Sequence, residues 1–133
     1  MLDDAWLVVP LYNEGPVVGD VIRGARETFP RIVCVDDGSS DDSAGIAREA
    51  GAVVVSHPIN LGQGAALQTG LSYALQDRAA NYFVTFDSDG QHQVSDAAAM
   101  VERLRSEPDV DIILGSRFLD EHVEAGAVQR LVL

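Results

Sequence analysis

Short apolar runs rich in β-branched residues recur along the chain at 5–9, 31–35, 52–56, 82–86 and 111–114, each followed by a cluster of turn-forming residues. Runs of this length bounded by Gly, Pro, Asp and Ser read as buried strands. Between them lie segments whose apolar residues fall at helical spacing. The first run is expected to end at Pro10, and Pro16 suits the first turn of a helix that buries Val17, Val18, Val21, Ile22 and Ala25 and closes at Phe29-Pro30. A second helix uses Ala44, Ile46, Ala47 and Ala50, a third Leu67, Leu71, Ala74 and Leu75, and a fourth Ala97, Met100, Val101 and Leu104. Strands alternating with amphipathic helices predict an α/β fold with a mainly parallel sheet covered on both faces. Right-handed crossovers then bring the loop after every strand to one rim of the sheet.

A chain of 133 residues, 47% hydrophobic, is long enough for one domain with a sizeable core and short for two. Its formal net charge of −12 excludes a nucleic-acid backbone or an anionic membrane surface as an unaided partner, because both would be repelled. Any phosphate must be met locally, by a cation, by backbone N–H groups or by one of the nine basic residues, all of them arginine. The acidic start Met1-Leu2-Asp3-Asp4 is unlike a basic signal-peptide n-region, and no apolar run reaches membrane-spanning length, so a soluble, cytoplasmic chain is expected. Cys34, the single cysteine, sits in an apolar run and is expected to pack as a small hydrophobe.

The rim loop with the most specific chemistry is Asp87-Ser88-Asp89-Gly90-Gln91-His92, directly after the fourth run. Ligand sites of open α/β sheets lie beyond the carboxyl ends of the strands. Two carboxylates one residue apart, a glycine that permits a sharp turn and the neutral oxygen of Gln91 make a set of hard oxygen donors. Mg²⁺ or Mn²⁺ suits such a set, since Mg²⁺ is commonly held by one or two carboxylates together with substrate phosphates. The competing reading is an ordinary turn with Asp as turn residue.

Val9-Pro10-Leu11-Tyr12-Asn13-Glu14, Val35-Asp36-Asp37-Gly38-Ser39-Ser40-Asp41, Asn60-Leu61-Gly62-Gln63-Gly64 and Asp87-Ser88-Asp89-Gly90-Gln91-His92, in this order and at βα spacing, resemble family 2 glycosyltransferases, in particular the dolichol-phosphate mannose synthase-like branch. The resemblance spans nearly the whole chain. It implies the nucleotide-diphospho-sugar transferase fold, GT-A and Rossmann-like, with residues 1–133 as a partial nucleotide-sugar-binding domain. It also implies metal-dependent, inverting transfer of a sugar from a UDP- or GDP-linked donor to an acceptor such as a polyprenyl phosphate. Pro10, Tyr12 and Glu14 are then expected to line the nucleoside pocket, with Val35 nearby, Asp37 hydrogen-bonding the base, and Asp87 and Ser88 among the nucleotide contacts. Tyr12 offers a face for stacking, while Glu14 and Asp37 accept hydrogen bonds; both carboxylates would also serve as turn caps.

On the same resemblance Asp89 is the direct metal ligand, Asp87 contacts ribose or a metal-bound water, and Gln91 completes the coordination. Arg117 of Gly115-Ser116-Arg117 is expected near the phosphates, the alternative being a surface ion pair. His92 is left between a phosphate contact and a solvated turn residue. The glycines at 62 and 64 either let backbone approach a ligand or make a tight loop. The chain ends soon after Arg117, where the family continues into acceptor-site residues, so a C-terminally shortened domain is expected, and no catalytic base is assigned. An acceptor phosphate is already ionised and needs none. A full-length protein would then work at the inner face of a membrane. Two further readings stay open: a binding module that oligomerises through exposed apolar surface, and a sugar-phosphate nucleotidyltransferase, whose glycine-rich basic first loop is missing here.

Overall fold

The structure, a computed structural model, describes residues 1–89 and 94–111. Four parallel strands, β1 (Ala5–Leu11), β2 (Arg31–Asp36), β3 (Val53–Ser56) and β4 (Tyr82–Thr85), form a sheet in the order β3-β2-β1-β4. The connecting helices are α1 (Gly15–Arg26), α2 (Ser43–Glu49) and α3 (Gln63–Ala74), and α4 (Val94–Ser106) follows β4. The expected fifth strand at 111–114 lies, but for its first residue, outside the described residues.

Strand residues alternate between two cores, as a period of two requires. Leu7, Val9, Leu11, Ile32, Cys34 and Val84 face α1, α2 and α4, packing on Val18, Ile22, Ala25, Ala47, Ala97 and Val101. Trp6, Val8 and Val33 face α3 on the opposite side, with Leu67, Leu71 and Ala74. Burial pushes the Cys34 thiol up to about 12, consistent with a packing role. Because the chain moves outward from β1 to β3 and then returns across the sheet to β4, right-handed crossovers put α1 and α2 on one face and α3 on the other.

Two expectations about element detail are corrected. Pro10 does not end the first strand: β1 runs on to Leu11, pairing Pro10 with Val35 and Leu11 with Asp36. The proline is tolerated because alternate residues of a parallel strand address opposite neighbours, and its missing N–H falls on the β4 side, where pairing has already ended at Val8 and Thr85. The buried stripe of α3 is Ala66, Gly70 and Ala74, with Leu67 and Leu71 only half-buried and Leu75 62% exposed. The reason is close approach. A Cβ on Gly70 would stand 2.4 Å from Val8 Cγ1, so α3 lies on the sheet at a distance only small residues permit. Among the described residues no helix is long and apolar enough to cross a membrane.

Candidate nucleotide-sugar site

The strand order reverses between β1 and β4, which opens a crevice at the carboxyl ends of these two strands. A cleft of about 370 Å³ lies there. Of the residues expected in a site, Pro10, Tyr12, Glu14, Asp37, Asp87, Ser88 and Asp89 all line it. They come from the end of β1 and from the loops after β1, β2 and β4. Val35 is not brought to the cleft: it is fully buried in β2, where its side chain packs beneath α3 near Gly70. Gln91, His92 and Arg117 lie outside the described residues. Asn60 and Gly62 also line the cleft, but Gly64 does not; Leu11, Gln63 and Ala66 complete the lining.

The first loop is positioned by the second. Asn13 N–H donates to Ser39 Oγ at 2.9 Å, Glu14 N–H to Ser43 Oγ at 3.0 Å and Gly15 N–H to Asp41 Oδ2 at 3.1 Å. In return Ser40 N–H donates to Asn13 Oδ1 at 2.8 Å. Asn13 adopts φ 51°, a left-handed conformation that asparagine tolerates better than most residues. Asp41 also accepts from the Ser43 N–H and hydroxyl, and those bonds, the hydroxyl's foremost, hold its carboxyl below the ordinary range. Ser39, Asp41 and Ser43 therefore fix the backbone that carries Tyr12 and Glu14. Tyr12, 49% exposed, keeps its ring open to the cleft and solvent.

Asp37 closes the second wall. Its N–H donates to Leu11 O at 2.8 Å, which sets it at the strand end beside the first loop. The carboxylate, 4% exposed, accepts from Leu61 N–H at Oδ1 and Gly62 N–H at Oδ2, both at 2.9 Å, and from His57 Nδ1 at Oδ1 at 2.8 Å. Burial alone would raise its pKa, but the bonds from His57, Leu61 and Gly62, with the neighbouring imidazole, hold the carboxyl below the usual range. The loop at 57–62 is thereby drawn over Gly38. This glycine has φ 78°, and a Cβ there would meet Asn60 N and Ile59 C at 2.7 Å. A carboxyl depressed in the folded state adds stability above its unfolded pKa, and that share fades as pH falls through the two values. Asp37→Asn is thus expected to lower the urea midpoint at pH 7, with wild type and variant converging below about pH 4; urea melts across pH check this.

The third loop is tied to β1 by Ser88, whose hydroxyl donates to Pro10 O at 3.2 Å. Ser88 is buried, Asp87 half-buried and Asp89 exposed. Glu14, Asp37, Asp87 and Asp89 thus put four carboxylates on the cleft wall, and among the described residues no Lys or Arg lines it. Among the described residues no group of three or more ion-binding side chains is clustered, so Asp87 and Asp89 offer a pair and not a closed cage. The donor set fits a hard divalent cation whose remaining positions are filled by water and substrate oxygens.

The family model described as "Glycosyl transferase family 2" matches residues 6–129. Glycosyltransferase AglJ of Haloferax volcanii is 33% identical, covering 97% of this chain and 40% of its own length. The UDP-N-acetylglucosamine–dolichyl-phosphate N-acetylglucosaminyltransferase of Methanococcus voltae is 29% identical over 84% of this chain and 51% of its own. Among solved structures, glucosyl-3-phosphoglycerate synthase from Mycobacterium tuberculosis in complex with Mn²⁺ and UDP-glucose superposes with a TM-score of 0.68 at 25% identity, covering 82% of this chain and 42% of that one. The chain spans about half, or somewhat less, of the length of the curated relatives it matches.

Proposed function

Because the chain belongs to the family 2 glycosyltransferases, with the GT-A fold, we propose that its cleft binds a nucleoside-diphosphate sugar through a divalent cation and that residues 1–133 are part of one sugar-transferring domain. The observation that carries this reading is the charge of the wall. Glu14, Asp37, Asp87 and Asp89 converge on one cleft, and a divalent cation among carboxylates attracts the diphosphate that carboxylates alone would repel. That a neighbour of the same fold was crystallised with Mn²⁺ and UDP-glucose supports it.

In this reading Tyr12 stacks on the base, Asp37 accepts a base N–H, and Glu14 and Asp87 accept from ribose hydroxyls. Asp89, with Asp87, faces the diphosphate and would hold Mg²⁺ or Mn²⁺. When bound, such an ion neutralises the charge that develops on the leaving nucleoside diphosphate. An acceptor oxygen forms the new bond at the anomeric carbon from the face opposite the leaving group, while the sugar–phosphate bond breaks and its electron pair departs with the diphosphate, giving inversion. The acceptor is a polyprenyl phosphate, a reading supported by relatives named as dolichyl-phosphate and undecaprenyl-phosphate transferases. Its ionised oxygen needs no general base.

Calorimetric titration of the chain with UDP and GDP, each with and without Mn²⁺, tests the proposal. Binding of one nucleotide that depends on the metal is the expected result. A folded chain that binds neither, or binds equally well without metal, overturns it.

A further inference from the structure

We infer that His57, braced by Thr69, is a positioning residue that fixes Asp37 and leaves its carboxylate a single open acceptor site for the base. The inference rests on the nucleotide-binding reading above and adds residues that do not line the cleft.

The imidazole bridges two elements. Its Nδ1 lies 2.8 Å from Asp37 Oδ1, beyond β2, and its Nε2 lies 2.8 Å from Thr69 Oγ1, on α3. The side chains of His57 and Asp37 are 10% and 5% exposed, so water competes little for either bond. An ionised carboxylate only accepts, so Nδ1 must carry a proton, and the Thr69 hydroxyl can donate to Nε2. The backbone is fixed at the same place, since His57 N–H donates to Asp36 O at 2.8 Å. His57 therefore cannot turn without breaking with Asp37, Thr69 or both.

The consequence lies in counting acceptor positions. Each carboxylate oxygen offers about two lone-pair sites. Among the described residues, Oδ1 receives His57 and the Leu61 N–H, which fills it; Oδ2 receives the Gly62 N–H alone and keeps one site. One remaining acceptor matches a base edge that presents one N–H between two carbonyls, as uracil does. The guanine edge presents N1–H and the exocyclic N2–H₂ side by side and needs two acceptors, so one of its donors finds no acceptor on Asp37. Without the His57 bond the carboxylate regains a second site and the freedom to rotate.

The test compares two amides at one position. In H57N the side-chain amide nitrogen sits where Nδ1 was and can still donate to Asp37. In H57Q it sits where Nε2 was and reaches only toward Thr69. UDP and GDP are titrated with Mn²⁺ into wild type and both variants. H57Q is expected to weaken UDP binding about tenfold, the worth of one hydrogen bond to a charged group, and to narrow the UDP-to-GDP preference. H57N is expected to stay within about threefold of wild type in both. Independently, ¹⁵N–¹H correlation of the wild-type imidazole is expected to show a slowly exchanging proton on Nδ1, and this decides the matter alone should H57Q fail to fold.

A bare Nδ1 overturns the inference, as do H57N and H57Q that match each other in affinity and selectivity. A folded wild type that binds neither nucleotide overturns the functional reading and this inference with it. Wild-type binding of UDP alongside indistinguishable variants overturns the inference alone.

Discussion

Alanine in place of Asp89 is expected to weaken UDP binding in the presence of Mn²⁺ by about a hundredfold or more, because changes even in the outer shell of metal sites cost ten- to a hundredfold and this change removes a proposed direct ligand. The sign without metal should be opposite. Asp89 lies on a wall with three other carboxylates, so its removal lessens repulsion of a diphosphate, and metal-free affinity should hold steady or rise. Two titrations, one with Mn²⁺ and one with EDTA, check both signs. A loss of equal size in each would assign Asp89 to direct nucleotide contact instead of ion binding. Since Asp89 is exposed, the unfolding midpoint is expected to move little, which separates a lost ligand from a lost fold.

Valine in place of Gly70 is expected to destabilise the chain by about 3 kcal/mol, at the upper end of the range for overpacking. Its Cβ would be built 2.4 Å from Val8 Cγ1 and 3.2 Å from Val35 Cγ2, and both neighbours are fully buried in central strands with no room to retreat. Relief requires α3 to lift from the sheet. That movement would break the Thr69 contact with His57 and slacken the loop at 57–62. Urea unfolding measures the loss, and weaker nucleotide binding under conditions where the variant remains folded would follow from the same displacement. Gly70→Ala meets the same atom but recovers some helix propensity, so its cost is expected to be smaller.

The βα alternation was legible in sequence because each strand run is strongly apolar and each loop is dense in turn formers. Parallel pairing and the gathering of three loops on one rim follow from that pattern and crossover handedness. Less legible were features set by distances between elements. Leu75 fits a helical stripe by spacing, yet the stripe α3 buries consists of small residues, since the helix sits too close to the sheet for leucine. Pro10 looks like a strand terminator until the neighbour its missing N–H would face is known.

The same limit applies to the site. Seven expected residues line one cleft because they occupy strand ends that topology brings together. Val35 was expected nearby through its motif, but alternation turns its side chain toward α3. The roles of Ser39, Asp41 and Ser43 were missed since their partners Asn13, Glu14 and Gly15 lie in another loop, and no local signal pairs them. His57 gave no more than an isolated histidine after a strand; its two partners become visible only once β2, β3 and α3 are packed.

The central place of β1 has a bearing on how the chain acquires its cleft. β1 can pair with β2 early in synthesis, and β3 adds to the outer side of β2. Its other flank waits for β4, and the hydrogen bond from Asn81 to Asp4 beside that pairing joins residues 77 apart in sequence. Closing a loop of that span is the entropically slow step of such a topology. Asp87 and Asp89 follow β4, so the cleft is complete only after this last pairing, and a nascent chain still lacking β4 has the wall formed by the first two loops but lacks the carboxylate pair proposed to meet the diphosphate. A nucleotide present during refolding would then capture the finished sheet and leave earlier intermediates untouched, speeding no step but draining the final one.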